Sequence, residues 1–141
     1  MIEATAGAKR RRILTPLSAE PAAGMWSNCY AIGNLVVIAG LTGRDSEGKL
    51  VAEGDSYAQS LALFRKMKGF VEAAGGRMND VIKMNCFVSD IRYREGFVRA
   101  RKEFFSGDFP PCTVVGNASF ANPGPLVEVD AWAIVGSSPD E

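Results

Sequence analysis

Apolar residues recur along this chain with two periods. Short runs rich in Val, Ile and aromatic residues keep the two-residue spacing of a strand, and two longer stretches keep the three- and four-residue spacing of a helix. Met25 to Ile32 alternates and is followed by Gly33-Asn34, a two-residue hairpin signal. Leu35 to Ala39 then runs apolar on both faces. Tyr57, Leu61, Phe64, Met67, Val71 and Ala74 form one helical stripe, with Asp55 or Ser56 available as its cap and Gly75-Gly76 as its stop. Val81 to Val88 reads as a strand with Asn85 as a polar interruption. Asp90 can cap a second helix, Ile91 to Phe105, with Phe97, Ala100 and Phe104 inward and Arg92, Arg94, Arg99, Arg101 and Lys102 on a solvated outer face. Phe109 to Gly116 and Leu126 to Ala133 close the chain as two strands joined by a Ser/Asn/Pro/Gly segment, the first entered through Pro110-Pro111. With a strand beginning at the basic run before Ile13-Leu14, the order is β-β-β-α-β-α-β-β. This predicts one α+β domain over residues 1–141, with 1–8 and 136–141 as loose tails.

The doubly apolar run Leu35–Ala39 changes this picture. A strand apolar on both faces is covered on both faces. Two helices cover one face of a small sheet, so the other is expected to meet another subunit.

Composition narrows the chemistry. The chain has 141 residues and no histidine, which removes Ser-His-Asp and Cys-His relays and any histidine zinc site. Lys+Arg and Asp+Glu are equal at 16 each, which argues against a nucleic-acid partner. No apolar run approaches the roughly 20 residues of a membrane helix, and no signal-peptide core opens the chain, so no membrane partner and a cytoplasmic location are expected. The three cysteines, Cys29, Cys86 and Cys112, fit no zinc spacing and read as free thiols. Lys9-Arg10-Arg11-Arg12 reads as a phosphate or nucleic-acid contact, or as the solvated start of an edge strand that discourages edge-to-edge pairing; the zero net charge favours the second.

Candidate chemistry gathers in two places. Leu41 to Gly54, with Thr42, Gly43, Arg44 and Asp45, is a polar loop following a buried strand, where sites often lie. In the last strand Glu128 and Asp130 share one face, and Val127, Val129 and Ala131 share the other. Glu128 is either a solvated strand acid or a working carboxylate. Asp130 is its exposed neighbour or a second acid. Cys112 is either a packed thiol or a nucleophile, although no imidazole is present to lower its pKa.

This order of elements and landmarks resembles the RidA family, the YjgF and endoribonuclease L-PSP proteins. The matching residues are Gly24, Trp26-Ser27-Asn28, Ile32-Gly33-Asn34-Leu35-Val36, Ala39-Gly40, Glu72-Ala73-Ala74-Gly75-Gly76, Asp80-Val81-Ile82-Lys83, Phe87-Val88-Ser89-Asp90, Phe104-Phe105, Phe109-Pro110-Pro111 and Val127-Glu128-Val129-Asp130-Ala131. The resemblance implies a six-stranded, mostly antiparallel sheet backed by two helices on one face, assembled as a homotrimer with clefts between subunits. It implies hydrolysis of reactive enamines and imines, such as 2-aminoacrylate, to a keto acid and ammonia, with no metal or organic cofactor. By resemblance Glu128 helps position the attacking water and Trp26 shapes the cleft. Gly40, Leu41 and Thr42 line it, with Asn85, Phe87 and Thr113 nearby.

The chain departs from the family pattern at three positions. Trp26 stands where tyrosine is usual, and Ala39 where a small polar residue is usual. Cys112 stands where the deaminase branch carries an arginine that grips the substrate carboxylate with two hydrogen bonds. A charge-assisted hydrogen bond contributes roughly 1.5–3 kcal/mol, and a stranded buried charge costs about 3–5. In transition-state binding that is on the order of a hundred- to several-thousand-fold in rate. A simple 2-imino acid is therefore not the expected substrate. Three readings follow: a hydrolase acting on another imine- or enamine-like C–N bond, with Glu128 and Cys112 as candidate catalytic residues and Arg44 as a replacement cation; a small-metabolite-binding protein without chemistry; and a ribonuclease, which the missing imidazole and balanced charge disfavour.

Overall fold

A computed structural model describes residues 7–139. Six strands form one sheet: β1 (Arg10–Arg12), β2 (Cys29–Ile32), β3 (Leu35–Thr42), β4 (Val81–Val88), β5 (Cys112–Val115) and β6 (Val127–Ile134). Their spatial order is β1-β2-β3-β6-β4-β5, with β4 and β5 parallel and every other pair antiparallel. The last strand in sequence is therefore central, and the connection from β5 to β6 passes over the end of β4. Helices α1 (Ser56–Ala73) and α2 (Arg94–Arg101) complete the fold.

Each element follows from local chemistry. The Asp55 side chain accepts the Ala58 N–H at the start of α1, and the chain leaves that helix through Gly75. Phe64, Met67, Phe70 and Val71 of α1 are fully buried with Phe97 and Ala100 of α2 against Val36, Ile38, Met84, Cys86, Val129 and Ala131 of the sheet. Both helices thus cover one face. The basic run forms the edge strand β1, and all three of its arginines are exposed. Among the described residues no helix is long and apolar enough to cross a membrane.

Four expectations are corrected. The strand expected from Met25 begins only at Cys29, because Trp26 and Asn28 bond to each other off the sheet. The second helix is shorter than Ile91–Phe105: a 3-10 turn over Ile91–Tyr93 precedes it, and Glu103 and Phe104 donate N–H to Ala100 and Arg101 in closing turns. β3 is longer than expected, running on from Ala39 through Thr42; one of its faces is buried under the helices, and the other, including Val37 at 36% exposed, is the face open in the single chain. Of the tails, residues 1–6 and 140–141 lie outside the described residues, but 136–138 is anchored. Buried Asp80 accepts N–H bonds from Gly136 at 3.1 Å, Ser138 at 2.8 Å and Arg77 at 3.0 Å.

Candidate functional site

The site begins with a mismatch in the ladder between β3 and β6. Ile38 pairs with Ala131 and Leu41 with Val129, so β3 spends three steps where β6 spends two. The extra residue is absorbed at Ala39-Gly40 as a β-bulge, which bends the strand and opens its end. Ile38 and Leu41 both keep their side chains in the core across the bulge. Gly40 then lies under Glu128: a Cβ at Gly40 would come within 2.8 Å of Glu128 Cδ. Only glycine lets this carboxylate lie flat on the strand.

Glu128 faces away from the helices, paired with Thr42 on one side and Phe87 on the other. It is half-buried and makes no hydrogen bond or ion pair among the described residues. Burial pushes its carboxyl above the ordinary 4.5, and the neighbouring Asp130 carboxylate adds to the rise. Asp130 is differently placed, because the Asn85 amide donates to it at 2.9 Å.

Glu128 looks into a cleft of about 300 Å³. Of the residues singled out in the sequence, Trp26, Gly40, Leu41, Thr42, Arg44 and Glu128 border it together. One wall is the segment before β2. Trp26 Nε1–H donates to Asn28 Oδ1 at 3.0 Å, and Asn28 Nδ2 donates to Ala19 O and to Glu20 Oε2, both at 3.0 Å. Glu20 in turn pairs with Arg12 at 2.9 Å. The basic run therefore braces the cleft wall from behind, a role that no sequence spacing indicates. The opposite wall is the loop between β3 and α1, where Asp45 Oδ1 accepts N–H from Glu47 and Lys49, and Arg44 Nη1 donates to Gly48 O at 3.1 Å. Phe120, Ala121 and Asn122 of the β5–β6 segment close the third side. Fully buried Gln59 ties that segment to α1: it accepts from Leu126 N–H at 2.9 Å and donates to Ala52 O at 3.3 Å.

Two buried polar residues near the cleft carry no signal of their own in the strand and helix pattern. Gln59 and Lys66 both face inward on α1, in the row 59, 63, 66, 70 whose other members, Leu63 and Phe70, are fully buried. The available signal was polar residues recurring at helical spacing on an apolar row.

The remaining candidates lie toward the β4–β5 edge. Phe87 adjoins Glu128 on the outer face, and Asn85 and Thr113 are register partners there, with Lys83 Nζ donating to Thr113 Oγ1 at 3.0 Å. Cys112 stands apart from all of them. Its register partner is the fully buried Met84, it packs against the core beneath the helices, and it does not border the cleft of its own chain. Burial raises the Cys112 thiol pKa despite the opposing pull of Arg101. Within one chain, therefore, the structure does not join Cys112 to Glu128, and its sulfur is held as a thiol rather than a thiolate.

Comparison with known proteins finds relatives over most of the chain. The family profile described as endoribonuclease L-PSP matches residues 17–135. A 2-iminobutanoate/2-iminopropanoate deaminase from Dermatophagoides farinae is 30% identical over 126 residues, covering 89% of this chain and 97% of that protein. Among solved structures, a protein of unknown function from Pseudomonas aeruginosa is 35% identical with a TM-score of 0.79, covering 92% of this chain and 94% of that one. RidA from an Antarctic Psychrobacter is 30% identical with a TM-score of 0.78, covering 89% of this chain and 99% of that one. The chain belongs to the RidA family of endoribonuclease L-PSP-type proteins.

Proposed function

We propose that this protein is a deaminase that hydrolyses the C=N bond of a small imine, or of the enamine in equilibrium with it, and releases ammonia and a carbonyl compound. The observation that carries the reading is Glu128: a half-buried carboxylate without a hydrogen-bond or ion-pair partner among the described residues, raised by burial and laid over a glycine at the mouth of a cleft. Water adds to the imine carbon, and its proton passes to Glu128. The C–N π electrons move to nitrogen, which takes that proton from Glu128 to give the carbinolamine. Glu128 then takes the hydroxyl proton and delivers it to the amino nitrogen, so that the C–N bond breaks, ammonia leaves, and the oxygen becomes the carbonyl. An imine carbon is already electrophilic, so placing the water and shuttling one proton suffices, and a carboxyl raised toward neutrality suits that exchange. The deaminase from Dermatophagoides farinae supports the reaction class.

The substrate differs from a simple 2-imino acid, because Cys112 offers no charge with which to grip a carboxylate beside the reacting carbon. The working form is a homotrimer. Its motive is the uncovered outer face, where Val37 and Trp132, 36% and 53% exposed, pair across β3 and β6 beside Tyr30. Burying that face between subunits would bring Asn85, Phe87 and Thr113 of one chain toward the cleft of the next.

Two measurements test this. Ammonia release is followed over a panel of freshly generated imines carrying a carboxylate beside the C=N bond, farther away, or not at all. Saturable release from either of the last two classes is expected; release from the first class alone overturns the substrate assignment, and none from any overturns the activity. Sedimentation of the full chain is expected to give a trimer, and a monomer would overturn the assembly.

A further inference from the structure

We propose that Lys66, with Arg44 beside it, forms an anion subsite in the wall of the Glu128 cleft, and that it receives a carboxylate separated by several bonds from the reacting carbon of the ligand. The proposal deepens the reading above and rests on that cleft being where the ligand lies.

Lys66 is the first observation. It is 6% exposed and borders the cleft, yet it makes no hydrogen bond or ion pair among the described residues. Its neighbours on α1, Arg65 and Lys68, are exposed, so the helix places cations in water on either side of it. An ammonium carries three donors and is strongly disfavoured in a protein interior without partners. A lysine kept at such a position is waiting for an acceptor or is held there at a cost to stability.

Arg44 is the second observation. It reaches the same cleft from the loop after β3, and its charge acts with burial to bring the Lys66 pKa down to about 8. Asp45 pulls the other way but does not cancel them. Its Oδ1 is engaged by two backbone N–H groups, and it forms no ion pair with Lys66. The other acids of the cleft are no better placed as counter-ions: Glu20 is bound to Arg12 and Asn28, and Glu128 pairs with neither cation. Lys66 and Arg44 against Asp45 leave one positive charge uncompensated. That matches a singly charged carboxylate, whereas a doubly charged phosphate would also meet the acids around the rest of the cleft.

Position then sets where the carboxylate lies on the ligand. Glu128 projects from the outer face of the sheet, whereas Lys66 arrives from the helix that covers the inner face. The end of β3 lies between them, with Thr42 paired to Glu128. A ligand touching both must span that end, so its anionic and reacting groups are not on adjacent carbons. The subsite thus draws on α1 and the β3–α1 loop rather than on the β5 position of Cys112.

The test uses calorimetric binding of four probes that need no turnover: 4-oxopentanoate, 4-oxopentanamide, pyruvate and inorganic phosphate. The full-length protein is expected to bind 4-oxopentanoate at least tenfold more tightly than the other three. Lys66→Met is expected to weaken 4-oxopentanoate roughly ten- to a hundredfold, the worth of a charge-assisted hydrogen bond, and to leave the amide unchanged. The same variant is expected to unfold at an equal or higher temperature, since it removes an unpaired buried charge. Wild-type affinity for 4-oxopentanoate is expected to fall as pH rises through about 8, where Lys66 loses its proton; the charged groups that act on it are Arg44 and Asp45. Lys66→Arg provides a second reading: it keeps the preference for acid over amide and loses that pH dependence. Equal binding of acid and amide, tighter binding of pyruvate or phosphate, no binding of any probe, or unchanged binding in Lys66→Met would each overturn the proposal. Glu128→Gln separates it from the activity: lost ammonia release with the acid preference intact would leave the subsite standing.

Discussion

The two ends of β6 each hold a carboxylate, and the two are opposites. At the Ile134 end, Asp80 is 2% exposed and accepts bonds from the backbone N–H groups of Arg77, Gly136 and Ser138. Burial alone would raise its pKa, but those bonds, with that of Ser138 foremost, outweigh it and hold the carboxyl below the ordinary 3.8. At the Val127 end, Glu128 is less buried yet has no partner among the described residues, and burial followed by Asp130 raises it above 4.5. Burial does not by itself make a carboxylate reactive; burial without donors does. Asp80 is a structural knot and Glu128 is the group proposed to move the proton, and the two lie near opposite ends of β6.

That contrast can be broken by exchange of chemistry. The largest effect is expected from Glu128→Gln: ammonia release from the best substrate of the imine panel falls about 10²- to 10⁴-fold, the range for losing a general acid–base group, with no loss of thermal stability. Asp80→Ala does the reverse. Three backbone N–H groups lose a charged acceptor, and the unfolding free energy in a denaturant titration drops by roughly 2–4 kcal/mol, while activity per folded molecule is unchanged. Gly40→Ala sharpens the comparison, since its Cβ displaces the Glu128 side chain by intruding to 2.8 Å of Cδ. About a tenfold or greater loss of rate is expected in a steady-state assay, with stability little changed.

The smallest effect is on stability against pH. Asp80 has a depressed folded-state pKa, so its contribution is fully present above 3.8 and is lost as pH falls below that value. Glu128 has a raised one, so its ionisation weakens the fold as pH climbs above 4.5. Unfolding midpoints measured between pH 3 and 7 are expected to show the acid-side loss shrink in Asp80→Ala, and the decline above 4.5 shrink in Glu128→Gln.

Much of this was legible in the residue pattern, and what was not has identifiable causes. Val81 to Val88 and the closing strands were readable because apolar residues alternate there and turn residues bound them. The row of Glu128 and Asp130 on one face follows from strand geometry alone. The second helix was overdrawn because Phe104 and Phe105 continue the apolar pattern past Arg101, although the backbone has already turned. Cys112 was grouped with Glu128 by resemblance, but register partnership with Met84 turns it to the other face. Lys66 was hidden by its helix, since a lysine reads as solvated until the packing of α1 shows that it faces inward. The Asp80 knot and the Arg12–Glu20–Asn28 brace depend on side chains finding backbone and partners outside their own elements, which local periodicity does not encode.

The most direct test reads the two acids side by side, in a carbon-detected NMR titration of the side-chain carboxyls in the intact protein. Asp80 is expected to titrate below 3.8 and Glu128 above 4.5, with the Glu128 midpoint moving down in Asp130→Asn. A Glu128 midpoint at or below 4.5 would contradict the account, because the carboxylate would then be stabilised like Asp80 rather than left free to move a proton.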